Sequence, residues 1–220
     1  MKSLSVVLSV LCAVAFGQAR ESAFMDSRDA RYYKTVEIGG QVWMAENLDF
    51  EVPDSFCYDD NPDNCAKYGR LYTWTAAMGF TPEDVENASR ESRGFSIGKN
   101  HQGACPVGWH IPTMKEVKLL ERTLGENLAG YYLKSKHDWM EGKGGNDKFL
   151  FNGLPAGISP ERGQYEYLGR RASFWIAETR DPTSILFVRA WHLLADYTSV
   201  YKYVQEFRTS AFSVRCVKNK

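Results

Sequence analysis

Cys105-Pro-Val-Gly-Trp-His-Ile-Pro-Thr-Met-Lys-Glu-Val-Lys-Leu-Leu-Glu-Arg-Thr-Leu124, closed by Gly125, holds the clearest helix signal in the chain and a cysteine just ahead of it. Pro112 interrupts what precedes it and Thr113 is placed to cap a helix. Glu116, three residues on, can bond back to the cap amide and complete a capping box. Gly125 supplies the stop. Met114, Val117, Leu120 and Leu124 recur at helical spacing and Leu119 widens their stripe, while Lys115, Glu116, Lys118, Glu121 and Arg122 fill the other face. The pattern predicts one packed side and one solvated side. Cys105 offers a covalent tether, and its expected partner is Cys216 in the predicted last strand.

Composition narrows the class. With 220 residues, 44% hydrophobic and 14% aromatic, the chain can bury a sizeable core, and a single domain is expected. Its 27 basic residues balance 27 acidic ones, which leaves no electrostatic footprint for nucleic acid or an anionic membrane. Met1 to Ala19 has the three parts of a secretory signal: Lys2, an apolar run from Leu4 to Phe16, and the small-residue exit Gly17-Gln18-Ala19. Cleavage is expected after Ala19. Cys12 raises lipidation, but Leu11 before it is bulkier than a lipoprotein peptidase usually accepts. No later apolar run approaches the ~20 residues of a membrane span, so no transmembrane segment is expected after cleavage.

Removal of the leader leaves Cys57, Cys65, Cys105 and Cys216, an even set that favours disulfides in an exported chain, with three connectivities open. Cys57 and Cys65 bracket Tyr58-Asp-Asp-Asn-Pro-Asp-Asn64, a turn-rich segment that folds back easily, which leaves Cys105 for Cys216. A zinc site is the alternative, but no cysteine pair has metal-hook spacing.

Residues 20–31 are polar and read as a flexible N-terminal segment. From Tyr32 the pattern changes. Tyr33 to Ile38 and Gln41 to Ala45 read as strands joined by the Gly39-Gly40 turn. Tyr68 to Met78 reads as a strand running into a first helix capped by Thr73 and stopped by Gly79. Thr81 to Gly103 lacks apolar periodicity and reads as a surface excursion, and Asn87-Ala-Ser89 within it matches a glycosylation sequon without other support. Ala129 to Gln164 reads as mostly irregular loop, with a tight turn at Leu154-Pro-Ala-Gly157. Four strands are predicted afterwards, at 172–177, 185–193, 199–204 and 211–217, with Asp181-Pro182 and Ala195-Asp196 as turns.

A set of motifs then falls in a telling order: Trp43-Met-Ala-Glu-Asn-Leu48, Tyr68-Gly-Arg-Leu-Tyr-Thr-Trp74, Cys105-Pro with Gly108-Trp-His-Ile-Pro112, Leu154-Pro-Ala-Gly157, Phe174-Trp175 and Phe212-Ser-Val-Arg-Cys-Val217. Together they resemble the Fibrobacter succinogenes major paralogous domain, from Asp26 to Lys218. Val117, Ala211 and Phe149-Leu-Phe-Asn-Gly153 depart from the family's pattern. The resemblance implies an exported bacterial protein, secreted, periplasmic or on the outer surface, with a domain over residues 32–218. It also implies an α+β, C-type-lectin-like architecture like that of formylglycine-generating oxidases: two helices, small antiparallel sheets, long irregular loops and disulfide staples. In that fold an early and a late strand pair, and a disulfide ties a central element to the terminal strand.

The motifs of chemistry are weak. Asp59, Asn61 and Asp63 alternate like calcium ligands, but Asn64 replaces the required glycine and Arg70 stands where the bidentate glutamate belongs. The sugar-binding tripeptides of calcium lectins are missing from the region where that resemblance would put them. Cys216 is the single cysteine of the C-terminal half, where the related oxidases use a reactive pair. The four histidines are scattered, and His110 reads as a structural hydrogen-bonding group. No catalytic residue, metal ligand or cofactor is therefore assigned. What remains is aromatic: Tyr131, Tyr132, Trp139, Tyr165 and Tyr167 lie in the long loop region, where rings stack on sugars, anchor protein contacts or plug a core. The expected function is a non-catalytic binding or surface-structural module that meets extracellular carbohydrate or a surface protein through residues 130–170. The alternative is an extracytoplasmic enzyme, a hydrolase or a distant relative of those oxidases.

Overall fold

A computed structural model describes residues 21–90, 95–179 and 186–220, so the expected signal peptide, Cys12 and the Asp181-Pro182 turn lie outside the described residues. In chain order the elements are β1 (Glu21–Met25), β2 (Tyr32–Ile38), β3 (Gln41–Met44), β4 (Ser55–Phe56), α1 (Pro62–Tyr68), β5 (Leu71–Thr73), α2 (Trp74–Met78), α3 (Pro82–Arg90) and β6 (Trp109–His110). They continue with α4 (Met114–Leu124), α5 (Ala129–Leu133), β7 (Ala156–Ile158), β8 (Glu166–Leu168), β9 (Arg171–Thr179), β10 (Phe187–Leu194), β11 (Tyr201–Phe207), β12 (Ala211–Phe212) and β13 (Val217–Lys218). The strands form three small sheets, ordered β1-β2-β3-β13-β6, β11-β10-β9-β7-β8 and β12-β5-β4. The class is mixed α+β. The last strand closes between an early strand and one from the middle of the chain, with Val217 opposite both Trp43 and His110.

The central helix forms as its sequence dictates. The Thr113 hydroxyl accepts from the Glu116 amide at 3.4 Å, and the Glu116 carboxylate accepts from the Thr113 amide at 2.9 Å. Gly125 at φ +86° ends it, a region where a side chain would be strained. Met114, Val117, Leu120 and Leu124 are buried in a core shared with Trp43, Phe151, Phe174 and Trp191, each side chain contributing about 1.5–3 kcal/mol. Glu121 departs from the predicted solvated face. It is buried and ion-paired with Lys202, because β11 crosses that flank of α4. The Gly39-Gly40 turn also forms, with φ +59° and +73°, the positive pair a two-residue hairpin needs.

Both disulfides join the expected partners, Cys57 with Cys65 and Cys105 with Cys216. A second core, around Met44, Trp74, Trp175 and Phe212, encloses the longer bridge.

Several local expectations change. Two helices were expected, and the described residues form five α-helices. α1 lies inside the small disulfide loop, where the Asn61 side chain accepts from the Asp63 amide and Pro62 sits at the first turn. α3 lies in the expected surface excursion, started by a reciprocal bond between Thr81 and Asp84, and it turns Ala88 into the core. α5 opens the long loop region, which is otherwise mostly irregular. Glu21–Met25, predicted as loose, pairs antiparallel with β2, and Arg28 fixes the exit by bonding Asp26 and the Ala104 carbonyl. The predicted strand at 211–217 divides into β12 and β13. Between them Ser213 bonds Ser173, Leu48 bonds Val214 and Met44 bonds Cys216, so no single neighbour continues a ladder.

Candidate functional site

The loop region of residues 130–170 is pinned from below. Gly130 approaches the Ser199 carbonyl so closely that a Cβ would sit 2.4 Å from it, and a Cβ on Gly145 would sit 2.2 Å from the Tyr131 carbonyl. The buried Lys134 ammonium donates to the carbonyls of Leu194, Ala195 and Tyr197 at 3.3, 3.2 and 3.2 Å, and burial lowers its pKa. These contacts fix a loop backbone that has little regular structure of its own.

The five loop aromatics separate by environment. Trp139 is 8% exposed, donates its indole N–H to the Gly153 carbonyl at 3.1 Å, and lies 5.1 Å from the Lys134 ammonium. Its ring supports the loop from inside. Tyr165 is half-buried, tilts against Tyr58 and donates to Asp60 at 2.7 Å; burial, with the Asp60 charge, pushes its pKa up to about 12. Tyr132 meets Phe149 edge-on and is partly packed on the core. Tyr131 and Tyr167 stay in solvent, at 37% and 49% exposure. Sequence reading passed over Tyr197 and Tyr201, both exposed, with rings 6.1 Å apart. The Tyr131 amide donates to the Thr198 carbonyl at 2.8 Å, which sets the Tyr197 turn beside α5. Two tyrosines closely following the Ala195-Asp196 turn were the available signal. We expect Trp139→Phe to cost about 1 kcal/mol by removing the donor to Gly153, read as a lower denaturant midpoint in an unfolding titration.

One cluster has the residue types of a nucleophile–base pair. Ser173 Oγ lies 3.0 Å from His192 Nδ1, and Glu206 lies 3.4 Å from His192 Nε2. Both Ser173 and His192 are fully buried, however, and the serine oxygen already accepts from Arg171 Nε at 2.7 Å. Burial, reinforced by the Arg171 charge, holds the His192 pKa well below its ordinary value. The cluster joins β9, β10 and β11.

A groove of about 540 Å³ opens between the start of α4, the Gly39-Gly40 turn and the terminal residues 217–220. His110 lies at its base, with Nδ1 2.7 Å from the Asn219 amide oxygen and Nε2 2.9 Å from Glu116. Burial disfavours the imidazolium, but the hydrogen bond and charge of Glu116, helped by Asn219, outweigh it and raise the pKa. Burial also pushes the Glu116 carboxyl up, and its bonds to His110 and Thr113 outweigh that and lower it. With its folded pKa raised, His110 contributes stability that is fully present below about pH 6.5 and is lost as pH rises through the folded pKa. We expect a His110 imidazole titration by NMR to show a midpoint above that of a model peptide, returned downward by Glu116→Gln.

Asp59, Asn61 and Asp63 serve the disulfide loop. Asp59 and Asp60 adopt φ near +55° and +51°, Asn61 caps α1, and Asp60 accepts from Tyr165. Among the described residues, no group of three or more His, Cys, Asp or Glu side chains could hold a metal ion, and no helix is long and apolar enough to cross a membrane.

The family model described as the Fibrobacter succinogenes major domain matches residues 36–218. No curated protein and no solved structure matches the chain.

Proposed function

We propose a function from one premise: the chain belongs to the Fibrobacter succinogenes major domain family. Its role is that of an exported, non-catalytic binding or surface-structural module that contacts carbohydrate or protein through the loops of residues 130–170. The observation that carries this reading is a loop region tied down by close glycine contacts and by Lys134, which nevertheless leaves the Tyr131 and Tyr167 rings in solvent. A pre-ordered loop loses little conformational entropy on binding, and a tyrosine offers a broad apolar face with a polar tip. The two disulfides favour an oxidising compartment and so support export. A C-type-lectin-like architecture is supported by the pairing of β3 with β13 and by the bridge from Cys105 to the terminal segment.

The test is a glycan array and insoluble-polysaccharide pull-down with the oxidised mature chain, repeated with Tyr131→Ala and Tyr167→Ala. We expect the variants to bind about tenfold more weakly or worse, with an unchanged melting temperature, since each lost ring contact is worth about 1–2 kcal/mol. Retention that survives both substitutions would move the site off these loops.

A further inference from the structure

The groove at the start of α4 is chemically unlike the loops. Its rim carries Lys99, Lys115, Arg122, Lys218 and Lys220, and among the described residues none of these five has an ion-pair partner. Glu116, the one carboxylate side chain among the described residues of its wall, is already engaged by His110 and by the Thr113 amide and hydroxyl. In a chain whose formal charges sum to zero, five cations gathered around one concavity make a local positive field.

The floor is aliphatic. Val42 and Leu119 are half-buried and show apolar surface to the groove beside Val217, and among the described residues no aromatic ring other than the His110 imidazole lines it. Gln41 is 3% exposed and lines the same groove, yet its amide oxygen is buried without a hydrogen-bond partner. That oxygen is covered by the protein itself, so the surface the groove offers is the Val42–Leu119 floor and the cationic rim.

We propose that this groove docks an acidic peptide segment of another protein, with aliphatic side chains on the Val42–Leu119 floor and carboxylates at the cationic rim. Charge complementarity sets the sign of the partner. The floor favours a peptide over an acidic polysaccharide, because sugars are held by flat aromatic faces and this floor has branched aliphatic groups instead. The site is independent of the loop aromatics, so each can fail without the other.

The experiment is fluorescence anisotropy with labelled peptides alternating Asp or Glu with Val or Leu, titrated with the oxidised mature chain at low and physiological salt. Matched peptides carrying Lys or Ser, and an oligomeric uronate, are the comparisons. We expect the acidic aliphatic peptide to bind with marked salt dependence. Lys115→Glu with Lys218→Glu, both exposed, should weaken it about tenfold or more, and Leu119→Gln should weaken it at unchanged salt dependence. Melting temperatures within a few degrees of the parent show that the variants fold. Binding unaffected by either variant overturns the proposal. So does uronate binding as tight as the peptide's and indifferent to Leu119→Gln, or a dimer in sedimentation that Lys115→Glu abolishes, since each names another occupant.

Discussion

Arg215→Met is expected to destabilise the protein by about 4 kcal/mol, lowering the melting temperature by roughly 10 °C. Arg215 is fully buried, and its guanidinium places every N–H on a neutral oxygen. Nε and Nη2 donate to the Asn47 side-chain oxygen at 3.0 and 2.6 Å, Nη1 to the carbonyls of Met44 and Phe151 at 3.2 and 2.5 Å, and Nη2 to that of Asn152 at 3.2 Å. The plane also lies 4.5 Å from the Phe151 ring centroid. Burial draws its pKa down to about 9, so the group remains charged at neutral pH without a carboxylate at ion-pair distance among the described residues. One side chain thus joins the exit of β3, the loop at 151–152 and the terminal segment. Methionine has similar length and no donors, so it leaves the Asn47 oxygen and the buried carbonyls without partners, each at about 1–3 kcal/mol before relaxation. Arg215→Lys should fall between, since an ammonium keeps the charge and loses the planar fork. A methionine variant within about 1 kcal/mol of the parent in guanidinium chloride unfolding would show that the network does not hold these segments together.

Opening the longer disulfide should have the other large effect. The bridge closes a loop with a sequence separation of 111, against 8 for the Cys57–Cys65 bridge. Loop-closure entropy then gives about 5 kcal/mol for the long bridge and about 2.5 kcal/mol for the short one. Cys105 and Cys216 are both fully buried in the core, so alanine at both positions also removes packed sulfur. The Cys105→Ala/Cys216→Ala chain is expected to melt well below the Cys57→Ala/Cys65→Ala chain. Equal losses would mean that contacts already restrict the long loop in the unfolded ensemble.

The frame was legible where local chemistry decides the outcome. The Thr113–Glu116 box, the Gly39-Gly40 turn, the Thr73 cap and the cysteine pairing need only neighbouring residues or an even count, and each appears as read. What was missed depends on distant partners. α1, α3 and α5 are short, and helices of that length draw their stability from tertiary packing more than from propensity. β1 exists because β2 lies beside it, and Glu121 is buried because β11 brings Lys202 across the helix. The candidate loop residues show the same limit. A run of aromatics marks a region, but whether Trp139 points inward and Tyr167 outward depends on where Gly153 and Lys134 come to lie. The groove rim was invisible for that reason too: Lys99, Lys115 and Lys218 are far apart in the chain and meet only after β13 pairs with β3 and β6.

The functional account rests on the loops of residues 130–170 being a pre-ordered ligand face. Its most direct test is amide hydrogen exchange on the oxidised mature chain, measured alone and with the glycan best retained on the array. The account predicts slow exchange in free loop amides that bond Tyr131, Leu133 and Ser135 carbonyls, and further protection on binding confined to 130–170 and the adjoining Tyr197 turn. Fast exchange throughout that region in the free protein, or protection that appears only elsewhere when ligand is bound, would contradict it.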